Sequence, residues 1–124
     1  MKKAFVLIGL FISSHCFATY NQSFEKEYLR IVDGSTEKLL KEYEFNESYK
    51  GQELSEAEWK EAKKIQCDGM KAEFAFYQLI TSRYDEFVTY QKQNNLELVY
   101  DENRYIQEFN KIKKMMSNPE NECN

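Results

Sequence analysis

Few residues in this chain are of the types that carry covalent chemistry, and their positions limit what they can do. There is one histidine, His15, and there are three cysteines, Cys16, Cys67 and Cys123. His15 and Cys16 lie beside an apolar run from Ala4 to Ile12 that follows Lys2 and Lys3 and precedes Cys16-Phe17-Ala18, the pattern of a cleaved secretory signal over residues 1–18. Cleavage after Ala18 would leave Cys67 and Cys123 and no histidine. Ser-His and Cys-His nucleophilic pairs are then impossible, and general acid-base catalysis loses its commonest agent.

The remaining routes to catalysis are equally thin. Paired carboxylates cleave glycosides, but they need a cleft that a short helical chain rarely builds. A zinc site lacks ligands, because two thiols far apart in sequence do not make a metal-binding set. No glycine-rich phosphate loop occurs, and a redox role lacks a Cys-x-x-Cys pair. The chain is therefore expected not to be an enzyme and to need no cofactor and no metal.

The apolar run is much shorter than the roughly 20 residues that span a bilayer, so export to the periplasm is expected rather than anchoring. In that oxidising compartment Cys67 and Cys123 most simply form one structural disulfide. Closing that loop would stabilise the fold by about 4 kcal/mol on the chain-entropy view. Removal of 18 residues from 124 leaves 106, enough for a single domain over 19–124. Without Lys2 and Lys3 the 17 basic residues become 15 against 21 acidic ones, a net charge of −6. Such a chain is poorly suited to nucleic acid or an anionic membrane and better suited to a basic protein partner. All nine tyrosines lie beyond the signal, more than a small core usually hides, and surface tyrosines favour protein contacts, a homodimer among them.

The elements that must position these residues read as helices. Gly34, Gly51, Gly69 and Pro119 are the only glycines and proline beyond the signal, and strong helix formers fill the spaces. Periodicity predicts a first helical segment from about Asn21 to Phe45, with Gly34-Ser35-Thr36 either a break restarted by a Ser35 cap or a weak spot in one helix. Residues 46–54, NESYKGQEL, have no periodicity and read as an exposed loop. Ser55 and Glu58 form a capping-box pattern that opens a long amphipathic stretch to about Gln93. Its apolar stripe is Trp59, Ala62, Met70, Phe74, Tyr77, Ile80, Tyr84 and Val88, with Cys67 at the edge and a kink expected near Asp68-Gly69.

Asn94-Asn95 reads as a helix stop, and Leu96 to Tyr100 as an extended connector or at most a short strand. A last helix from about Asp101 carries Tyr105, Phe109, Ile112 and Met116, and Asn118-Pro119 ends it. The expected fold is all-α, a small bundle of about four to five helices with one disulfide between Cys67 and Cys123. Binding is then the function left, and an exposed loop on a rigid scaffold is its usual seat. Glu44, Glu47, Tyr49 and Lys50 are the candidate partner-binding residues.

Trp59 to Cys67 gives a Trp-x7-Cys spacing on a helix, which resembles the helical lysozyme inhibitors of the LprI type, with Lys63-Lys64 where that family has Arg-Asp. Signal, length, helical pattern, acidity and tail cysteine together resemble the small periplasmic immunity proteins of type VI secretion systems. Among these the similarity is to the kind that protects Vibrio cells from the muramidase domain of a VgrG spike effector. These resemblances imply a protein that blocks the active site of a cognate secreted peptidoglycan hydrolase, often as a dimer. A general periplasmic binding or chaperone-like module is the alternative.

Overall fold

The computed structural model describes residues 21–121 and Cys123. The expected signal segment, with His15 and Cys16, lies outside the described residues. Among the described residues four helices form the fold: α1 (Gln22–Ser48), α2 (Glu56–Ser82), α3 (Tyr84–Gln93) and α4 (Glu102–Ser117), followed by a 3-10 turn at Pro119–Asn121. Among the described residues there is no strand. The protein is all-α, and Cys67 is bonded to Cys123 across 56 positions of sequence.

Helix α1 starts where Asn21 accepts a hydrogen bond from the Ser23 N–H at 3.0 Å. It does not break at Gly34-Ser35-Thr36, and Ser35 is not a cap. Thr36 turns its hydroxyl back to the Val32 carbonyl at 2.9 Å, inside the helical ladder. A mid-helix glycine costs about 1 kcal/mol. Packing outweighs that, because Phe24 and Ile31 before the glycine are buried and Glu42 after it lies against Gly69 of α2.

The helix also consumes the first part of the expected loop. Asn46, Glu47 and Ser48 are helical, and the Tyr49 N–H closes the last turn on the Phe45 carbonyl at 3.2 Å. The reversal is left to a short turn in which Gly51 takes φ 75°, a conformation natural to glycine. Residues 46–48 are polar but not helix-breaking, so lack of apolar periodicity there marks exposure rather than a loop.

Helix α2 opens with the capping box expected at Ser55: the Glu58 N–H donates to Ser55 Oγ at 3.4 Å and the Ser55 N–H to Glu58 Oε2 at 2.7 Å. It runs on through Asp68-Gly69, and the interruption comes instead at Arg83. There Thr81 and Ser82 turn their hydroxyls onto the Tyr77 and Gln78 carbonyls, each at 2.7 Å. Arg83 leaves helical geometry and its guanidinium is held by Glu86 at 2.7 Å and Glu27 at 3.3 Å, 5.2 Å from the centre of the Phe24 ring. This fastening turns α3 so that Phe87 and Tyr90 pack on the start of α1.

The core has two parts. Phe24, Ile31, Leu79, Ile80, Phe87, Tyr90 and Tyr105 fill one end of the molecule, with Tyr28, Phe76, Tyr77 and Tyr84 against them. Its rings meet at centroid distances of 5.0 Å for Tyr28 and Tyr90 and 5.4 Å for Phe87 and Tyr105, the latter edge to face. Cys67, Met70, Ile112 and Cys123 form a second, smaller cluster that ties α4 and its tail to α2. Asp101 caps α4 by accepting from the Arg104 N–H at 2.8 Å. The connector from Leu96 to Tyr100 is irregular and exposed.

Helices α1 and α2 each have 27 residues and are about 40 Å long. Helix α4 has only 16, and with its disulfide tail it reaches down α2 as far as Cys67. The far half of the α1–α2 hairpin therefore stands as a two-helix arm without a third layer. Trp59, expected on the buried stripe, is 58% exposed for this reason: it lies two turns below Cys67, where among the described residues neither α3 nor α4 reaches that face of α2.

Candidate functional site

The free end of this arm gathers the candidate residues, though not in the way a loop would. Glu44 and Glu47 are exposed on the last turns of α1, one turn apart on one face. Lys50 follows in the turn and pairs with Glu47 at 3.4 Å, both side chains largely in solvent, so the pair contributes little to stability.

Tyr49 faces the other way. Its ring packs on Phe45 at 4.7 Å between centroids and its hydroxyl is bonded to the carboxylate of Glu58. The negative charge of Glu58 raises the tyrosine pKa, and Glu61 adds to the effect. The Glu58 carboxyl is held below its ordinary value by hydrogen bonds from Ser55 first and from Tyr49 as well. Glu58 therefore receives the Ser55 N–H, caps α2 and fastens the end of α1. Tyr49 belongs to this clasp; with Glu44 it lines a second, shallower concavity of about 250 Å³ between α1 and Glu61 of α2, whereas Glu47 and Lys50 pair outside it.

Beside the clasp lies an open concavity of about 590 Å³, lined by Phe45, Tyr49, Leu54 and Trp59 with Asn46, Gln52 and Glu53 at the rim. Residues 37–61 carry eight glutamates (37, 42, 44, 47, 53, 56, 58 and 61) against four lysines (38, 41, 50 and 60), a net charge of −4 on the arm. The arm thus carries one large exposed indole and an excess of carboxylates, of which Glu53 lines the concavity. Such a combination suits a basic protein surface with an apolar recess. Among the described residues, no group of three or more His, Cys, Asp or Glu side chains is placed to hold a metal ion. No helix among them is long and apolar enough to cross a membrane.

Trp59 is expected on the buried stripe and is a surface residue instead, because helical periodicity identifies a stripe, not what covers it. The available signal was length: a last helix ending at Pro119 and tied back at Cys67 cannot shield residues two turns further down. The fold and site define a disulfide-stapled four-helix scaffold with a projecting acidic, aromatic arm. No family model, no curated protein and no solved structure matches the chain.

Proposed function

We propose that this protein is exported to the periplasm and acts there as an immunity protein, binding a secreted peptidoglycan hydrolase of the lysozyme-like muramidase class and occluding its active site. The observation that supports this reading is the exposed Trp59 beside an apolar concavity within an arm of net charge −4. Enzymes that work on the anionic cell wall tend to be basic, and an acidic arm would speed their encounter. Trp59 would supply the buried anchor, Leu54 and Phe45 its apolar surround, and Glu44, Glu47, Glu53 and Lys50 the polar rim.

The reading predicts a secreted hydrolase encoded beside this protein, and it is tested with that enzyme by calorimetric titration and by a turbidity assay of wall lysis. A tight one-to-one site and loss of lysis are expected. Trp59→Ala should weaken binding by about 30-fold or more, the effect of losing a central anchor, while leaving the thermal midpoint unchanged. Absence of both complex and protection would overturn the proposal. Weak binding to many unrelated unfolded chains, with no tight partner, would favour the general binding module instead.

A further inference from the structure

The chain between α3 and α4 is apolar, exposed and held at its two ends. Asn95, at φ 54°, turns it out of α3, and the Leu96 N–H closes on the Gln91 carbonyl at 2.8 Å. At the other end the Tyr100 ring packs edge to face on Tyr105 at 5.5 Å, and Asp101 caps α4. Between these fastenings, among the described residues, no hydrogen bond reaches a main-chain group of Glu97, Leu98 or Val99. Four of the five residues from Leu96 to Tyr100 are apolar or aromatic and all four are exposed: Leu96 49%, Leu98 40%, Val99 75% and Tyr100 39%. Such a concentration of exposed apolar side chains marks an interaction surface.

Side chains of an extended chain alternate between two faces, which groups Leu96, Leu98 and Tyr100 on one and Glu97 and Val99 on the other. Unpaired main-chain groups along such a segment are a template for a further strand. Charge decides which strand fits. From Gln93 to Asn103 the chain carries Glu97, Asp101 and Glu102 and no basic residue. The neighbouring helices add more acid. Burial first, then Glu102, Asp101 and Asp85, raise the pKa of Tyr84; burial, then Glu73 and Glu108, raise that of Tyr77, with Arg104 acting against them. The flanking cations in sequence are Lys92, in the last turn of α3, and Arg104, which is engaged by Glu108 at 2.6 Å and lies 5.6 Å from the Tyr100 ring centre. A second copy would bring acid against acid, whereas a basic strand meets opposite charge.

We propose that the segment from Leu96 to Tyr100 captures an extended, basic segment of a partner protein as an added β-strand. Pairing is main chain to main chain, with the partner's lysines or arginines on the Glu97 face and its apolar residues on the face of Leu96, Leu98 and Tyr100. A partner strand of period two puts both sets in place at once, and a slip of one residue exchanges them, which gives the contact its selectivity. Tyr100 packs on Tyr105 of the larger core cluster, so this surface belongs to the end of the molecule closed by α3 and α4, away from Trp59. The inference does not depend on the proposed hydrolase.

The probe is the end-blocked peptide Lys-Val-Lys-Val-Lys-Val, titrated into the protein with its disulfide intact and followed by amide NMR. A dissociation constant on the order of 10 µM is expected, with amide exchange slowed at Glu97 and Val99. The same peptide methylated on every backbone nitrogen keeps its charge but has no main-chain donor, and it should bind at least about 10-fold more weakly. The peptide Glu-Val-Glu-Val-Glu-Val should do the same. In the protein, Glu97→Lys and Val99→Pro should each weaken binding at least about 10-fold with unchanged circular dichroism and thermal midpoint, since both positions are exposed and Val99 makes no hydrogen bond that proline would remove. Trp59→Ala should leave peptide binding as it is. No binding at about 1 mM, equal binding of the methylated peptide, or protection at the arm instead of the connector would overturn the proposal. So would a dimer that Val99→Pro dissociates, since the edge would then belong to a second copy.

Discussion

Replacing both Cys67 and Cys123 by alanine should remove about 4 kcal/mol of stability. The estimate rests on loop length: the bond spans 56 positions, and on the chain-entropy view a loop of that size restricts the unfolded chain by about 4 kcal/mol at 25 °C. Against a total of roughly 5 to 15 kcal/mol for a domain, this is a large fraction. The structure gives the bond a local role as well. Cys67 and Cys123 are buried with Met70 and Ile112, and this cluster is where the tail after α4 is fastened to α2. Urea unfolding followed at 222 nm would compare the oxidised protein, the reduced protein and the double variant. The midpoint should fall similarly for the last two, and the slope against urea should rise because the opened unfolded chain exposes more surface. Intact mass of the oxidised protein should be two hydrogens below the reduced form. A loss under about 1 kcal/mol with an unchanged slope would refute the loop-closure argument.

The remaining predictions concern helix continuity and titration. Gly34 lies inside α1 with nothing within 4 Å of where a Cβ would sit, so Gly34→Ala should stabilise the protein by about 0.5 to 1 kcal/mol, raising the thermal midpoint by several degrees. A decrease would show that the glycine has another role. Glu58 titrates below its ordinary value in the folded protein, so its contribution is present above the usual carboxylate range and is lost as pH falls through the lowered pKa. The stability gap between wild type and Glu58→Gln should accordingly be larger at pH 7 than in acid and narrow as pH falls below the usual carboxylate range; a gap independent of pH would exclude the charged clasp. Burial first, then neighbouring tyrosines, push Tyr105 up to about 12. A raised tyrosine pKa stabilises fully below pH 10 and loses that contribution as pH climbs towards 12, so ultraviolet titration should show Tyr105 ionising late. A normal midpoint for every tyrosine would refute the packing of the Tyr28, Tyr84 and Tyr105 cluster.

Several parts of the fold were legible in the residues because the forces that set them are local. The capping box at Ser55 and Glu58 needs only two side chains three residues apart. The end of α4 follows from Asn118-Pro119, and its buried Tyr105 and Ile112 from helical spacing. Of the two readings at Gly34 the continuous helix holds, and α2 stays helical through Gly69, since a glycine is a weak local preference that a packed partner helix overrides. The true interruption at Arg83 depends on Glu27, 56 residues away, and on the ring of Phe24, which no local pattern shows. At the candidate site Glu47 pairs with Lys50 three residues on, a local contact, whereas the hold on Tyr49 comes from Glu58 across the turn, which local spacing does not show.

The amino-acid sequence by itself determined the helical class and the capping of α2. Composition left Cys67 a single partner beyond the expected signal segment, because Cys123 is the one other cysteine there. Only the tertiary structure decided which apolar residues are core and which are surface. Burial depends on whether a second helix is long enough to reach them. Trp59 has helical spacing like that of Ile80, yet α3 and α4 cover only one end of the hairpin. The face that periodicity assigns to the interior is therefore left, on the projecting arm, open to a partner.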